Sequence, residues 1–329
     1  MSTWQNKLDL FADNTQAVKK GFFWWLNSIK RLAALLYTQE GKAVDCDSIQ
    51  QCRALIKQNT GVFSQFRSNM SLCLATLLSL SPNPQERLDE TLKVYDLLKG
   101  VKFHASDYLV IAAYQIAAQS DASDYGNVVA RTRSFYDEMK ARHFFLTGAD
   151  DYIFAAMLAL TDLESAAGAE CIERIFTQLK GKFWDDNSVQ TLAQVLALGN
   201  SDESVTERVL TLRDAFKVQK IKLHRSLTLP FLGVLALLPA EIDAIVSDVD
   251  AALSALKLKK GFGALSIDSG ELLLFAASIV AGDYAQSTKD GILTTTLQTS
   301  LTNLIIAQQV ALVVMICATT SASVTAASR

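Results

Sequence analysis

The chain has 329 residues and a formal net charge of −3; it is 50% hydrophobic and only 20% charged. No long Lys/Arg run interrupts this balance, the densest being Lys257–Lys260, so the basic stripe of a nucleic-acid binder is missing and no nucleic-acid partner is expected. With 4 prolines and 15 glycines the chain has too little turn punctuation for a many-stranded β protein, and helix is the economical reading.

The opening, MSTWQNKLDLF, is polar early and has no continuous apolar core before a small-residue cleavage site, unlike a secretory leader. Cys73 and Cys317 sit in apolar helical runs, and Cys46 and Cys52 lack the spacing of zinc ligands. Reduced thiols without a leader point to the cytoplasm.

In chain order, the first element is aromatic and amphipathic: Phe22 to Leu26, then Ile29, Leu32, Leu35 and Leu36 at helical spacing. Trp24 and Trp25 are adjacent, so both cannot enter one core. This element reads as a helix that caps one end of a solenoid, with an interface anchor as the sharper alternative. Ile49, Cys52, Leu55 and Ile56 form the next helical face, ended by Asn59-Thr60-Gly61.

A short Ala-rich apolar phrase then recurs about every 40 residues, within the period range of stacked repeats. It reads Ala75–Leu80, Ala112–Ala117, Ala155–Leu160, Ala193–Leu198, Leu232–Leu237 and Ala276–Ala281. Being apolar nearly all round, each phrase predicts a helix buried on most sides. Between them run amphipathic stripes, such as Leu88, Leu92, Tyr95, Leu98 and Ile245, Val249, Leu253, Leu256. Asn83-Pro84-Gln85-Glu86 supplies an N-cap, a first-turn proline and an acid three residues on. Lys99-Gly100, Lys180-Gly181 and Lys260-Gly261 end amphipathic helices with a dipole-matched cation and a left-handed cap; the Val205–Phe216 helix lacks the glycine.

The expected fold is therefore all-α, an irregular α-solenoid of stacked antiparallel helix pairs. Residues 1–60 form a helical N-terminal cap, 61–285 the hairpin repeats and 286–329 a closing helix with a frayed tail, in one continuous domain. Leu301–Ala318 is long and apolar, but Asn303, Gln308 and Gln309 interrupt it, and a buried terminal helix is preferred over a membrane anchor.

Catalytic signals are sparse. No Gly-rich phosphate loop, GxSxG elbow or HExxH pair occurs. His104, His143 and His224 each follow an amphipathic helix and precede an apolar one, without a second ligand at metal spacing. No metal and no cofactor are expected. A terpenoid-synthase arrangement would need carboxylates one turn apart, but Asp150-Asp151 is followed by Phe154 and Ala155. The densest polar cluster, Arg142–Tyr152, reads first as capping, with Thr147 or Asp150 taking the orphan amides. Its functional alternative is a polar pocket in which His143, Asp150 and Asp151 face Arg67, with Asn69 beside it.

Two stretches are less generic than the repeats: Ile56–Asn69 (IKQNTGVFSQFRSN) and His143–Tyr152 (HFFLTGADDY). Through Thr60-Gly61, Phe63-Ser64, Phe66-Arg67, Leu146-Thr147-Gly148 and Asp150-Asp151 they resemble a bacterial family filed as a domain of unknown function and common in low-GC Gram-positive bacteria. The resemblance runs from about residue 10 to about 285 and implies a cytoplasmic, all-helical bacterial protein with no assigned activity; the segment after Gly282 is unlike the family's usual content.

For function, the first expectation is a non-enzymatic scaffold with a protein partner, since stacked helical repeats present extended binding surfaces. A small-ligand binder or enzyme with the pocket just named is the rival. Membrane-surface contact through Phe22–Leu26 or Leu301–Ala318 is the third.

Overall fold

The Ala-rich phrases all fall in helices, three of them ending on the C-cap residue, and nearly all of their side chains are buried. In a computed structural model that describes residues 3–199, 204–223, 228–287 and Ala307, they lie in α4 (Ser71–Ser79), α6 (Asp107–Gln119), α8 (Asp151–Ala159), α10 (Asp186–Leu198), α12 (Leu229–Ala236) and α14 (Ser269–Ser287). Small residues allow close approach: a Cβ on Gly233 would meet the Leu192 side chain at 2.6 Å, and one on Gly282 would meet Gln39. Together with α2 (Asn27–Gln39) these helices make an inner row. The amphipathic helices α1 (Thr3–Gly21), α3 (Cys46–Asn59), α5 (Pro84–Gly100), α7 (Tyr125–Arg142), α9 (Ser165–Leu179), α11 (Ser204–Val218) and α13 (Ile242–Lys257) form an outer row. Each outer helix pairs with the inner helix that follows it.

The rows do not stay open. Outer helices pack in sequence from α1 to α13, and α13 packs against α1. In the inner row α2 meets α4, α6 meets α8, and the contacts continue through α10 and α12 to α14, which returns to α2. Between α4 and α6 the Tyr114 hydroxyl donates to the Leu77 carbonyl at 3.3 Å. The seven hairpins close into a ring. At its seam Arg31 and Glu271 form a buried ion pair at 3.3 Å, Gln39 Nε2 donates to the Ser278 carbonyl at 2.9 Å, and the Phe11 ring lies 5.2 Å from Phe262 and 5.1 Å from Phe275.

Closure changes the reading of the ends. The helix pair α1–α2 is a hairpin like the others, and its far side is covered by α13 and α14 rather than left to water. Two open apolar ends would each need a polar cap; packing them on each other buries both. Phe22 to Leu26 is not part of a helix but the turn between α1 and α2. Leu301–Ala318, Cys317 and the tail lie outside the described residues, apart from the buried Ala307.

Because the hairpins are antiparallel, every connection from an outer to an inner helix lies at one end of the ring. We call this the corner rim, and the end bearing the inner-to-outer turns the far rim. At the corners the left-handed position is taken by Gly181 (φ 75°) and Gly261 (φ 89°), as their Lys-Gly pairs suggest. Gly100 instead stays within α5, and Lys102 (φ 68°) makes the turn; Lys220 (φ 59°) does so after α11. In both of these corners the residue after the lysine bonds back five residues, Phe103 to Leu98 at 3.2 Å and Ile221 to Phe216 at 2.9 Å, closing the cap without glycine.

Candidate functional site

The polar cluster after α7 folds inward at Asp151. Asp151 is buried, and its Oδ2 accepts the Gly148 amide at 2.7 Å, the reach of a first-turn acid back over a helix start. Neither Thr147 nor Asp150 takes an orphan amide of α8; Asp151 instead ties down the loop that leads into the helix. Its Oδ1 accepts from Gln194 Nε2 at 2.5 Å and Gln190 Nε2 at 3.4 Å, and Gln190 Nε2 also donates to Thr147 Oγ1 at 3.1 Å. Burial first, and then the Asp150 charge, push the Asp151 carboxyl up to about 7. Asp150 is half-buried, is raised by desolvation and is held by Asn187. Tyr108 on α6 stands near both carboxylates, and burial with their charges raises its hydroxyl. Behind them Phe103, Tyr136 and Tyr152 pack edge to face with centroids 4.7–5.4 Å apart.

The other sequence candidates go elsewhere. Arg67 closes a single 3-10 turn, Gln65–Arg67. Its guanidinium donates to the Lys57 and Thr60 carbonyls and to Thr60 Oγ1, so it serves the C-terminus of α3. Asn69 follows in the same connection, one residue before the buried Met70. His143 Nε2 lies 2.6 Å from Glu173 of α9, and its ring packs on Phe176 at 4.4 Å. The geometry brings together Thr147, Asp150 and Asp151, and adds Tyr108, Asn187, Gln190 and Gln194. His104 is exposed, and His224 lies outside the described residues.

Chemically, this is a buried carboxyl held by amide donors. The most buried thiols are poor nucleophiles: desolvation pushes Cys52 up to about 11 and Cys73 up to about 12. Among the described residues no group of three His, Cys, Asp or Glu side chains could hold a metal ion. A cleft of about 940 Å³ lies on the far rim instead, between the turns after α6 and α8. Two of its cations are committed to backbone: Arg131 donates to the carbonyls of Ala159 (3.0 Å), Thr161 (2.7 Å) and Leu163 (2.7 Å), and Arg87 to that of Ala117. Arg208 does the same for Ala236, Leu238 and Ala240.

The corner rim has a different surface. Every exposed large apolar side chain among the described residues lies there, in a connection or in the last turn of the outer helix entering it. Trp24 is 93% exposed, Phe145 96%, and Phe63 and Trp184 fully. One residue away in the chain stand aromatics held under guanidinium groups: Arg213 lies over the buried Phe183 at 5.6 Å, and Arg53 over the half-buried Trp25 at 4.7 Å.

A family model matches residues 14–310. The chain belongs to the family described as protein of unknown function (DUF4003). The match spans both rows of the ring and the Asp150–Asp151 corner. It also runs past Gly282, so the following segment is family content, contrary to the expectation from its sequence. No curated protein and no solved structure matches the chain significantly.

Sequence reasoning missed Gln190, Gln194 and Tyr108 in this DUF4003 protein because each sits within an apolar phrase or in the turn of helix before it, where a lone polar residue gives no periodic signal. One clue was available: Gln190 and Gln194 are four apart on α10 and so share a face.

Proposed function

We propose that this DUF4003 protein is a non-enzymatic interaction scaffold of the bacterial cytoplasm, and that its corner rim is the docking face. The observation that carries this reading is the confinement of exposed Trp, Phe, Val and Leu side chains to one end of the ring; a random scatter would put some on the other end, and Trp is enriched where binding energy concentrates. Hydroxyl-radical footprinting tests it directly. Trp24 and Trp184 should oxidise readily in the purified protein and be protected in intact host cells. Equal oxidation in both settings overturns the docking face, whatever the partner.

One observation favours a second reading. Gln190 Oε1 and Gln194 Oε1 are buried without a hydrogen-bond partner, beside the high-pKa carboxyl of Asp151, which suits a small polar ligand between α8 and α10. Native mass spectrometry of protein purified from its host tests this: a small retained mass lost in Asp151→Asn would support it, and a bare chain mass would remove it.

A further inference from the structure

The apolar tips of the corner rim do not form one continuous patch. Phe23 and Trp24 follow α1, Phe63 follows α3, Phe144 and Phe145 follow α7, Trp184 follows α9, and Leu265 precedes α14. They project singly or in pairs from separate connections around the ring. A rigid protein partner would need a socket for each tip, whereas a fluid interface accepts them wherever they fall.

Charge points the same way. The net charge is −3, yet cations crowd this rim, because each outer helix ends here and its dipole favours them. Lys57, Lys102, Lys182, Lys220, Lys222 and Lys260 are exposed and have no acidic partner among the described residues. Most of the acids in this rim's connections are turned toward helix starts: Asp151 is buried, Asp107 and Asp150 are half-buried, and Asp268 accepts the Gly270 amide at 2.7 Å; Asp214, exposed near the end of α11, is paired with Arg213 and Lys217. The far rim carries the opposite sign, with Glu86, Asp89, Asp121, Asp124, Asp162 and Glu164 at its turns. The molecule is a charge dipole whose positive end bears the aromatics.

Aromatic side chains with an apolar body and a polar edge prefer the headgroup level of a bilayer, and clustered lysines are attracted to anionic lipid. Among the described residues no helix is long and apolar enough to cross a membrane, so attachment here would be at the surface. We propose that the corner rim docks on an anionic lipid bilayer, with Trp24, Phe63, Phe145 and Trp184 at the interface and the lysines among the headgroups. This rests on the docking-face reading above and names its partner.

The test uses the full chain with phosphatidylcholine vesicles, with and without phosphatidylglycerol. Binding is measured by co-sedimentation, and the depth of the tryptophans by quenching with brominated lipid. Trp4 is buried and serves as an internal reference. The expected result is sedimentation with anionic vesicles only, weakened by salt, with quenching of Trp24 and Trp184. Trp24→Ser/Phe145→Ser/Trp184→Ser should lower the apparent affinity by at least about tenfold, as should Lys182→Glu/Lys220→Glu/Lys260→Glu, both with an unchanged Tm. Absence of sedimentation with phosphatidylglycerol, or binding indifferent to both variants, overturns the proposal. Protection of Trp24 and Trp184 in cells without vesicle binding would leave the docking face standing and assign it to a macromolecule; loss of both results would remove the docking face as well.

Discussion

The two rims of the ring are made by the ends of the same fourteen helices among the described residues, and they meet water in opposite ways. On the far rim the turns are tied down. Arg87, Arg131 and Arg208 reach from outer helices to the carbonyls that end α6, α8 and α12, one guanidinium serving up to three acceptors. On the corner rim the equivalent stabilisation sits beneath the surface, in Arg31–Glu271 and in the rings under Arg53, Arg133 and Arg213, and a second tier of apolar side chains is left outside it. The corners therefore have two layers, one that holds the ring and one that faces water.

The largest effect should come from breaking the inner layer of the corner rim. Arg31→Ala leaves Glu271 buried without its cation and is expected to cost roughly 3–5 kcal/mol. Urea unfolding measures it, and a loss near zero would show that the seam does not hold the ring closed. Next is the far rim: Arg131→Ala leaves three carbonyls at the end of α8 without their shared charged donor and should cost about 2 kcal/mol, whereas Arg131→Lys should recover only part of this, since an ammonium cannot span the same acceptors.

The Asp151 corner gives a pH signature. Its folded carboxyl stands at about 7, above an ordinary aspartate near ~3.9. The folded state therefore keeps a proton that the unfolded chain releases, so this contribution is fully present below about pH 4 and is lost as pH rises through about 7. Asp151→Asn should flatten the fall in Tm across that window. A wild-type Tm that does not fall there would show that Gln190, Gln194 and the Gly148 amide compensate the charge.

The smallest effect belongs to the outer tier. Trp184→Ser and Phe145→Ser should each change stability by less than about 0.5 kcal/mol in calorimetry, because neither side chain buries appreciable area. A loss of 2 kcal/mol or more would make these rings part of the fold and erase the distinction between the layers.

Much of the architecture was readable from residues. The six Ala-rich phrases, the amphipathic stripes between them and the Asn83-Pro84 cap all appear where their spacing places them, with Glu86 N 3.3 Å from Asn83 Oδ1. Helix α1 escaped notice because lysine, asparagine and aspartate dilute its apolar face; Leu8, Phe11 and Val18 are nonetheless buried against later elements. The candidate site was half legible. Asp150 and Asp151 stood out as adjacent acids at a helix start, but their partners Gln190 and Gln194 are some forty residues away. Arg67 looked like a partner for them only while its own carbonyl acceptors on α3 were unseen.

What the sequence by itself determined is the unit: helix periodicity and capping act over neighbouring turns, so a local pattern specifies each hairpin and the order of hairpins. Only the tertiary structure decided that seven hairpins meet head to tail, and which corner aromatics lie under an arginine and which face water. Closure depends on the small rotation between hairpins summed around the ring, and the cover over Phe183, beside an exposed Trp184, comes from Arg213 on the next outer helix, α11. Neither quantity is written in any single stretch of chain.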